Sequence, residues 1–355
     1  MKYRNIKHWE EVLNIDDIMN EYLNDKKHII SLLEDDPEKL TKIWKEILCN
    51  DDTCQMNMHH VSDFACANCL NMSHIIDYRK IGEPFNILTG SLAGQDLLLT
   101  ETKVPYAYLT LENNKMKGDD FTMKVLFLWI IEDLFYNKIP NIVHLKTAFI
   151  CHNKGYTLYH APTIDHELCD FDCVLQLESP PSIYGILSQL IVIFNELKNI
   201  EFVFGRPSIY SFLFDKKPCS FLYQQIPIKC QYTLCLANCE KSSAKIHNLY
   251  LSSGNRIGEL QTNNYARYIE VKEDQYKIKN HFNIEEIRKK PGLDFYFTLL
   301  SMYENQDFLQ MVREDVDALA LINTFWNHEE MIKQGDFSNQ WLYKDPVSVG
   351  LSKLH

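Results

Sequence analysis

The sequence predicts an α+β chain in two lobes, strand-rich first and helix-rich second, with a helical extension ahead of both. Three observations predict it. Between residues 85 and 161, short runs of alternating or β-branched apolar residues flank a single long apolar stretch. From about residue 284 the apolar spacing becomes helical. Strands gathered before helices, rather than alternating with them, read as α+β. The boundaries expected are 1–80 for the extension, 81–178 for the first lobe and 179–355 for the second.

In the extension, Trp9, Val12, Leu13, Ile15, Ile18, Met19, Tyr22 and Leu23 recur at helical spacing. A second helix is expected in "DDPEKLTKIWKEIL", with Asp36 as N-cap and Pro37 in its first turn. Residues 1–60 hold 13 acidic against 8 basic side chains, and this acidic extension is expected to be a helical pair packed on the main domain. "FNILTG", "QDLLLTE" and "YAYLTLE" then read as three strands, and "GDDFTMKVLFLWIIEDLFYNK" as a helix capped by Asp119 or Asp120. "NIVHLKTAFIC" and "GYTLYHA" read as two strands joined at "HNKG". A buried helix is expected over 182–198, short strands over 201–237, and a helix opened by Pro291-Gly292.

The 355 residues are 46% hydrophobic, enough for a large core. A net charge of -12 disfavours phosphate backbones and anionic lipid as main partners, so neither nucleic acid nor a membrane is expected. The first residues lack the continuous apolar region of a secretory signal, and "VLFLWII" and "LIVIF" are too short for a bilayer span. The chain therefore reads as soluble and not secreted. Eleven cysteines without framework spacing fit reduced thiols. Glycine is scarce, 12 in all. Only Gly90 and Gly94 in "TGSLAGQDLLL" approach a phosphate-cradling loop, and neither familiar nucleotide fingerprint occurs in the sequence.

Five stretches carry a resemblance: "GSLAGQDLLLTE", "FTMKVLFLWIIEDLFYNKIPNIV", "FVFGRPSIYSFLFD", "CSFLYQQIPIKCQYTLCLANCEKSSA" and "PGLDFYFTLLSMYENQDF". In this order, over roughly residues 80–345, the chain resembles the protein-kinase fold, and specifically the divergent kinase-like proteins of nucleocytoplasmic large DNA viruses. The resemblance implies a two-lobed kinase-like fold. It places Thr110 where a phosphate-holding lysine should end the third strand, and Lys124 where that lysine's glutamate partner should lie. Phe204-Gly205-Arg206-Pro207-Ser208 falls on a catalytic loop that reads His-Gly-Asp-Pro-Ser in the family, so Arg206 replaces the proton-accepting aspartate. Ser211 falls on the magnesium-binding asparagine and Asn238 on the second magnesium carboxylate. Asp294 matches the aspartate that holds the catalytic-loop backbone from a buried helix, and Gly90 and Gly94 are what remains of the nucleotide loop.

Phosphoryl transfer requires metal on the phosphates, a cation to orient them and a base for the hydroxyl proton. A guanidinium stays protonated at physiological pH and cannot be that base. The resemblance thus implies a pseudokinase that acts by binding protein partners, as a scaffold or a virion or virus-assembly component, in host cytoplasm or virion, with no cofactor in the kinase-like region. A divergent serine/threonine phosphotransferase or nucleotide binder is the alternative, using Asp96, Asp119, Asp120, Asp215 or Glu240.

A third reading is a zinc-dependent adaptor. Cys49, Cys54, Cys66 and Cys69 are spaced C-x4-C-x11-C-x2-C, with His59 and His60 between the pairs, a candidate structural zinc site beside the plainer reading of buried reduced thiols. Cys169 and Cys173 in "ELCDFDC" read mainly as part of an exposed acidic connector. Cys219, Cys230, Cys235 and Cys239 are too irregular for a metal site and read as inert thiols. "NHEEMIKQ" fails as a zincin because residue 332 is Ile, and Cys151 and His152 point to opposite faces of a strand.

Overall fold

The computed structural model describes residues 29–48, 76–81, 87–92, 95–103, 108–143, 145–151, 154–159, 168–204, 208–239, 242–253, 293–325 and 345–354. It is a mixed α/β chain that divides into two compact units. The first comprises residues 1–133, 143–165 and 246–254, the second residues 134–142, 166–245 and 255–355.

In the first unit, α1 (Ile29–Asp35) leads into α2 (Pro37–Leu48). Asp36 Oδ1 accepts from Lys39 N–H at 3.1 Å, satisfying a donor that the first helical turn leaves open. A five-stranded antiparallel sheet has the order β1-β2-β3-β7-β6: β1 (Ile76–Ile81), β2 (Ile87–Leu92), β3 (Gln95–Lys103), β6 (Leu145–Cys151) and β7 (Lys154–Tyr159). The strand β1 corrects the expectation of a helical extension reaching residue 80. Its alternation is interrupted by a bulge: Ile76 faces Ser91 while Arg79 faces Thr89, so three steps on one strand match two on the other. A period-2 pattern broken in this way is not read as a strand.

Strands β4 (Leu109–Glu112) and β5 (Lys115–Gly118) form a hairpin closed by Asn113 and Asn114, at φ 49° and 57°. Both values are left-handed, as a two-residue type I′ turn requires and as asparagine tolerates. β5 also pairs in parallel with β14 (Leu249–Ser253). Helix α3 (Asp120–Phe135) follows, and every residue from Phe121 to Ile131 is buried. A helix apolar all round belongs inside a core. Its cap is Asp119, which resolves the choice between Asp119 and Asp120: Oδ1 accepts from Phe121 and Thr122 N–H at 3.1 and 3.0 Å.

The second unit is built on α5 (Ile183–Leu197), which follows the short helix α4 (Phe171–Leu175). Ser182 caps α5 by accepting from Gly185 N–H at 2.9 Å. Thirteen of its fifteen residues are buried, because strands and helices cover it together. Strand β8 (Leu168–Cys169) pairs with β9 (Phe212–Asp215), and β9 with β12 (Thr233–Leu236). The hairpin of β10 (Cys219–Tyr223) and β11 (Ile226–Cys230) packs on α5. β13 (Ser243–Ile246) follows, and its Ser243 bridges Val203. The helices α6 (Leu293–Tyr303), α7 (Gln306–Glu314), α8 (Val316–Phe325) and α9 (Pro346–Leu354) complete the unit. Gly350 brings α9 against α5 so closely that an added Cβ would lie 2.6 Å from Ile191 Cδ1. The segment 168–175 is not simply an exposed acidic connector, because Phe171 and Val174 are wholly buried.

Asp345 precedes α9 and binds Lys198, the C-cap of α5, and the Ser348 hydroxyl. Burial pushes its carboxyl up, but the Lys198 and Ser348 donors outweigh that and hold it below the ordinary 3.8. A folded value below the unfolded one stabilises fully above about pH 4, and the contribution is lost as pH falls through the lowered value. Asp345→Asn should therefore flatten the acid side of the stability–pH profile and cost about 1 kcal/mol or less at neutral pH, since the pair is partly solvated. Urea midpoints measured from pH 2 to 7 check this; an unchanged acid slope counts against it.

Candidate functional site

Ser211 and Asn238, two residues that the kinase resemblance singles out in the second unit, meet at one end of the β9/β12 pair. Ser208 opens a 3-10 turn, Ile209–Ser211, by accepting from Tyr210 N–H at 3.3 Å, and β9 starts immediately afterwards. Leu236 pairs with Phe212, so the chain leaving β12 passes beside Ser211. The carbonyl oxygen of Ser211 accepts from both Ala237 N–H at 3.0 Å and Asn238 N–H at 3.1 Å. Ser211 and Asn238 are thereby fixed side by side, each 2% exposed.

Helix α6 holds the two flanks of segment 205–207. Asp294 Oδ2 accepts from Phe204 N–H at 2.9 Å, and Ser301 Oγ accepts from Ile209 N–H at 2.8 Å. Seven residues apart, the two lie about two turns from each other on one face of the helix. Ser301 in turn donates to the Thr298 carbonyl at 2.6 Å. Phe194, Phe204, Phe212 and Phe295 stack around this anchor, with ring centroids 5.6 to 6.4 Å apart. On the outer side, Tyr210 donates to Asp172 at 3.1 Å, and Asn305 Nδ2 donates to the same carboxylate at 2.6 Å. Burial and the neighbouring Asp172 push the Tyr210 phenol well above its usual value, so it stays a protonated donor.

Arg206, between these two anchors, lies outside the described residues, as do Gly94, Glu240, Cys49, Cys54, Cys66 and Cys69. In the first unit, Thr110 is an exposed residue of β4 whose hydroxyl donates to Lys117 O at 3.4 Å. Lys124 is a core residue of α3, 1% exposed. Gly90 is inside β2, opposite Leu97.

The position assigned to Thr110 needs correction. That assignment takes "YAYLTLE" as the third strand, whereas among the described residues β1, β2 and β3 all precede it. Thr110 belongs to the fourth strand, which pairs in a different sheet. Ser301 was missed, since a serine within an apolar helix has no local mark of its partner.

Among the described residues, no group of three or more His, Cys, Asp and Glu side chains gathers as a metal site. None of their helices is long and apolar enough to cross a membrane.

No family model matches the chain, and no curated protein matches it. Among solved structures it is similar to "WaaP in complex with acyl carrier protein", with a TM-score of 0.31 and 8% identity, over 82% of this chain and 97% of that one. A likeness at that level assigns neither a fold family nor an activity.

Proposed function

We propose that this chain is a kinase-like protein without phosphoryl-transfer chemistry, acting through binding. The observation that carries the reading is the pairing of Ser211 with Asn238. Two backbone hydrogen bonds on the Ser211 carbonyl bring together the two positions that the resemblance gives to magnesium ligands, and a hydroxyl and an amide stand there. A neutral amide holds a hard divalent cation far more weakly than a carboxylate, since it brings a dipole and no charge. Arg206 replaces the proton acceptor with a cation in the same chain segment. The Asp294 bond to Phe204 N–H supports the reading from the other side: a buried carboxylate is kept for backbone architecture next to a segment whose reactive residue has changed.

In this reading the chain serves as a scaffold or particle component of a large DNA virus, in host cytoplasm or virion, with protein partners. The test is thermal stability with millimolar ATP, with and without magnesium, beside incorporation of radiolabelled phosphate into a general acceptor protein. We expect no incorporation and no thermal shift with ATP and magnesium. A ligand at 100 times its Kd stabilises by about 2.7 kcal/mol, which such a scan resolves. Incorporation that requires magnesium and is abolished by removing one acidic side chain, Asp215 or Asp119 among them, would overturn the proposal.

A further inference from the structure

The hairpin β10/β11 carries a second chemistry, at its open end. Cys219 and Cys230 are direct partners across the two strands. Gln224 and Gln225, at φ 48° and 72°, form the two-residue turn, so the closing pair Tyr223/Ile226 is hydrogen-bonded. Hydrogen-bonded and non-bonded pairs then alternate along the ladder. Pro227 falls on a non-bonded position opposite Leu222, as a residue without an N–H must. Cys219/Cys230, four residues from the closing pair, is again hydrogen-bonded, with a Cα separation of about 5.5 Å. That lies inside the window of about 4.4–6.8 Å that a disulfide spans. Directly opposed side chains leave a sheet on the same face.

The two thiols differ in access. Cys219 is 3% exposed, whereas Cys230 is half-buried and its Sγ lies against Gly185, where an added Cβ would be 2.8 Å away. Cys219 and Cys230 are both free thiols. We propose that Cys219 and Cys230 form a reversible disulfide by exchange with a low-molecular-weight disulfide, with Cys230 attacking first and Cys219 resolving.

The exchange balances as follows. Cys230, having lost its proton, attacks one sulfur of oxidised glutathione, forming a protein–glutathione disulfide and releasing one glutathione thiol. Cys219, deprotonated in turn, attacks Cys230 Sγ and releases the second. Two protein thiols become one disulfide, and one glutathione disulfide becomes two thiols. The two electrons pass from protein to glutathione, and the two protons end on the departing thiols. Solvent need reach only Cys230, because the second step is intramolecular. Burial and the neighbouring Cys230 push the Cys219 thiol up to about 12, so the thiols remain unreacted until an oxidant occupies Cys230. Burial raises Cys230 as well, while the Gln231 and Tyr232 N–H groups and the Gln189 amide pull it back. Cys235, which lies near Cys219, is likewise buried and has no path to the first step. The link would tie the strand leading into β12 to its partner, stiffening the approach to Asn238. The cysteine pair stands whether or not the chain is kinase-like.

The test treats the purified full chain with millimolar oxidised glutathione, blocks remaining thiols and maps tryptic fragments by tandem mass spectrometry. The expected product joins fragment 217–229 to fragment 230–241 through Cys219 and Cys230, raises the melting temperature by several degrees, and is reversed by dithiothreitol. Cys235→Ala should keep the link, and Cys219→Ala should leave Cys230 as a persistent glutathione adduct. If Cys219→Ala does not fold, the wild-type fragment map decides alone. A map without the link, one in which Cys230 joins Cys235 or Cys239 instead, or a lasting adduct on wild-type Cys230 overturns the proposal.

Discussion

Replacing Gln189 by Ala is expected to destabilise the second unit by about 3–5 kcal/mol, the largest single effect predicted. The side chain is 1% exposed in the middle of α5 and works at both ends. Its Oε1 accepts from Leu234 N–H and from Asn141 Nδ2, both at 2.9 Å, and its Nε2 donates to Tyr232 O at 3.0 Å. One amide thus ties helix α5 to strand β12 and to the segment after Pro140, whose own Asn141 carbonyl accepts from Leu236 N–H at 3.0 Å. Truncation leaves a buried backbone N–H, a part-buried carbonyl and half of an asparagine amide short of partners, at up to about 1–3 kcal/mol each. Water in the new space recovers part of the sum. Gln189→Glu separates hydrogen bonding from volume: it keeps the acceptor for Leu234 but places an ionisable group in the core, so it too should destabilise. Amide exchange at Leu234 reads the effect locally, with at least about a hundredfold faster exchange expected from 3 kcal/mol. An unchanged Leu234 amide in a folded Gln189→Ala protein would show that the polar clamp is not what holds β12.

The same clamp shows why part of this fold is legible in sequence and part is not. Local signals were sufficient where the chain satisfies its own backbone nearby. Asp36 before Pro37 marks the start of α2, and the Asp119-Asp120 pair before an apolar run marks α3. The alternating runs at 87–92, 95–103, 145–151 and 154–159 are strands. Where a residue's partner is far away, sequence offers no mark. Gln189 is one of the few polar residues of a helix read as buried, and nothing local marks its partners, residues 141, 232 and 234. The parallel pairing of β5 with β14 spans more than a hundred residues and leaves no trace in either strand's pattern. At the candidate site, the residue types at 206, 211, 238 and 294 were readable through the resemblance, whereas the hydrogen bonds joining 211 to 238 and 204 to 294 required a fold. The misplaced third strand has the same origin: a bulge hid β1, and every later count moved by one.

Asp119→Ala is the second large effect, about 2–4 kcal/mol in the first unit. Four donors converge on this carboxylate. Oδ1 takes Phe121 and Thr122 N–H, as an N-cap does, and Oδ2 takes Tyr108 N–H at 2.8 Å and the Thr122 hydroxyl at 2.6 Å. One oxygen starts helix α3 and the other fixes the chain entering β4, eleven residues earlier, so the loss exceeds that of a cap alone, about 0.5–2 kcal/mol. Burial is the strongest influence on the carboxyl and pushes it up, with the Thr122 hydroxyl and N–H, the Tyr108 N–H and its own N–H pulling against it. Asp119→Asn tests the division of labour. Asparagine keeps one acceptor and is itself a good N-cap, so the start of α3 should survive, whereas its NH2 cannot accept from Tyr108. The expected order of stability is wild type, then Asn, then Ala, with the Asn variant losing about 1–2 kcal/mol. Amide exchange distinguishes the two oxygens: at Tyr108 it should accelerate in both variants, and at Thr122 only in Ala. Equal protection of Tyr108 in all three proteins would mean that the β4 entry is held by something other than Asp119, and that the carboxylate is a helix cap and nothing more.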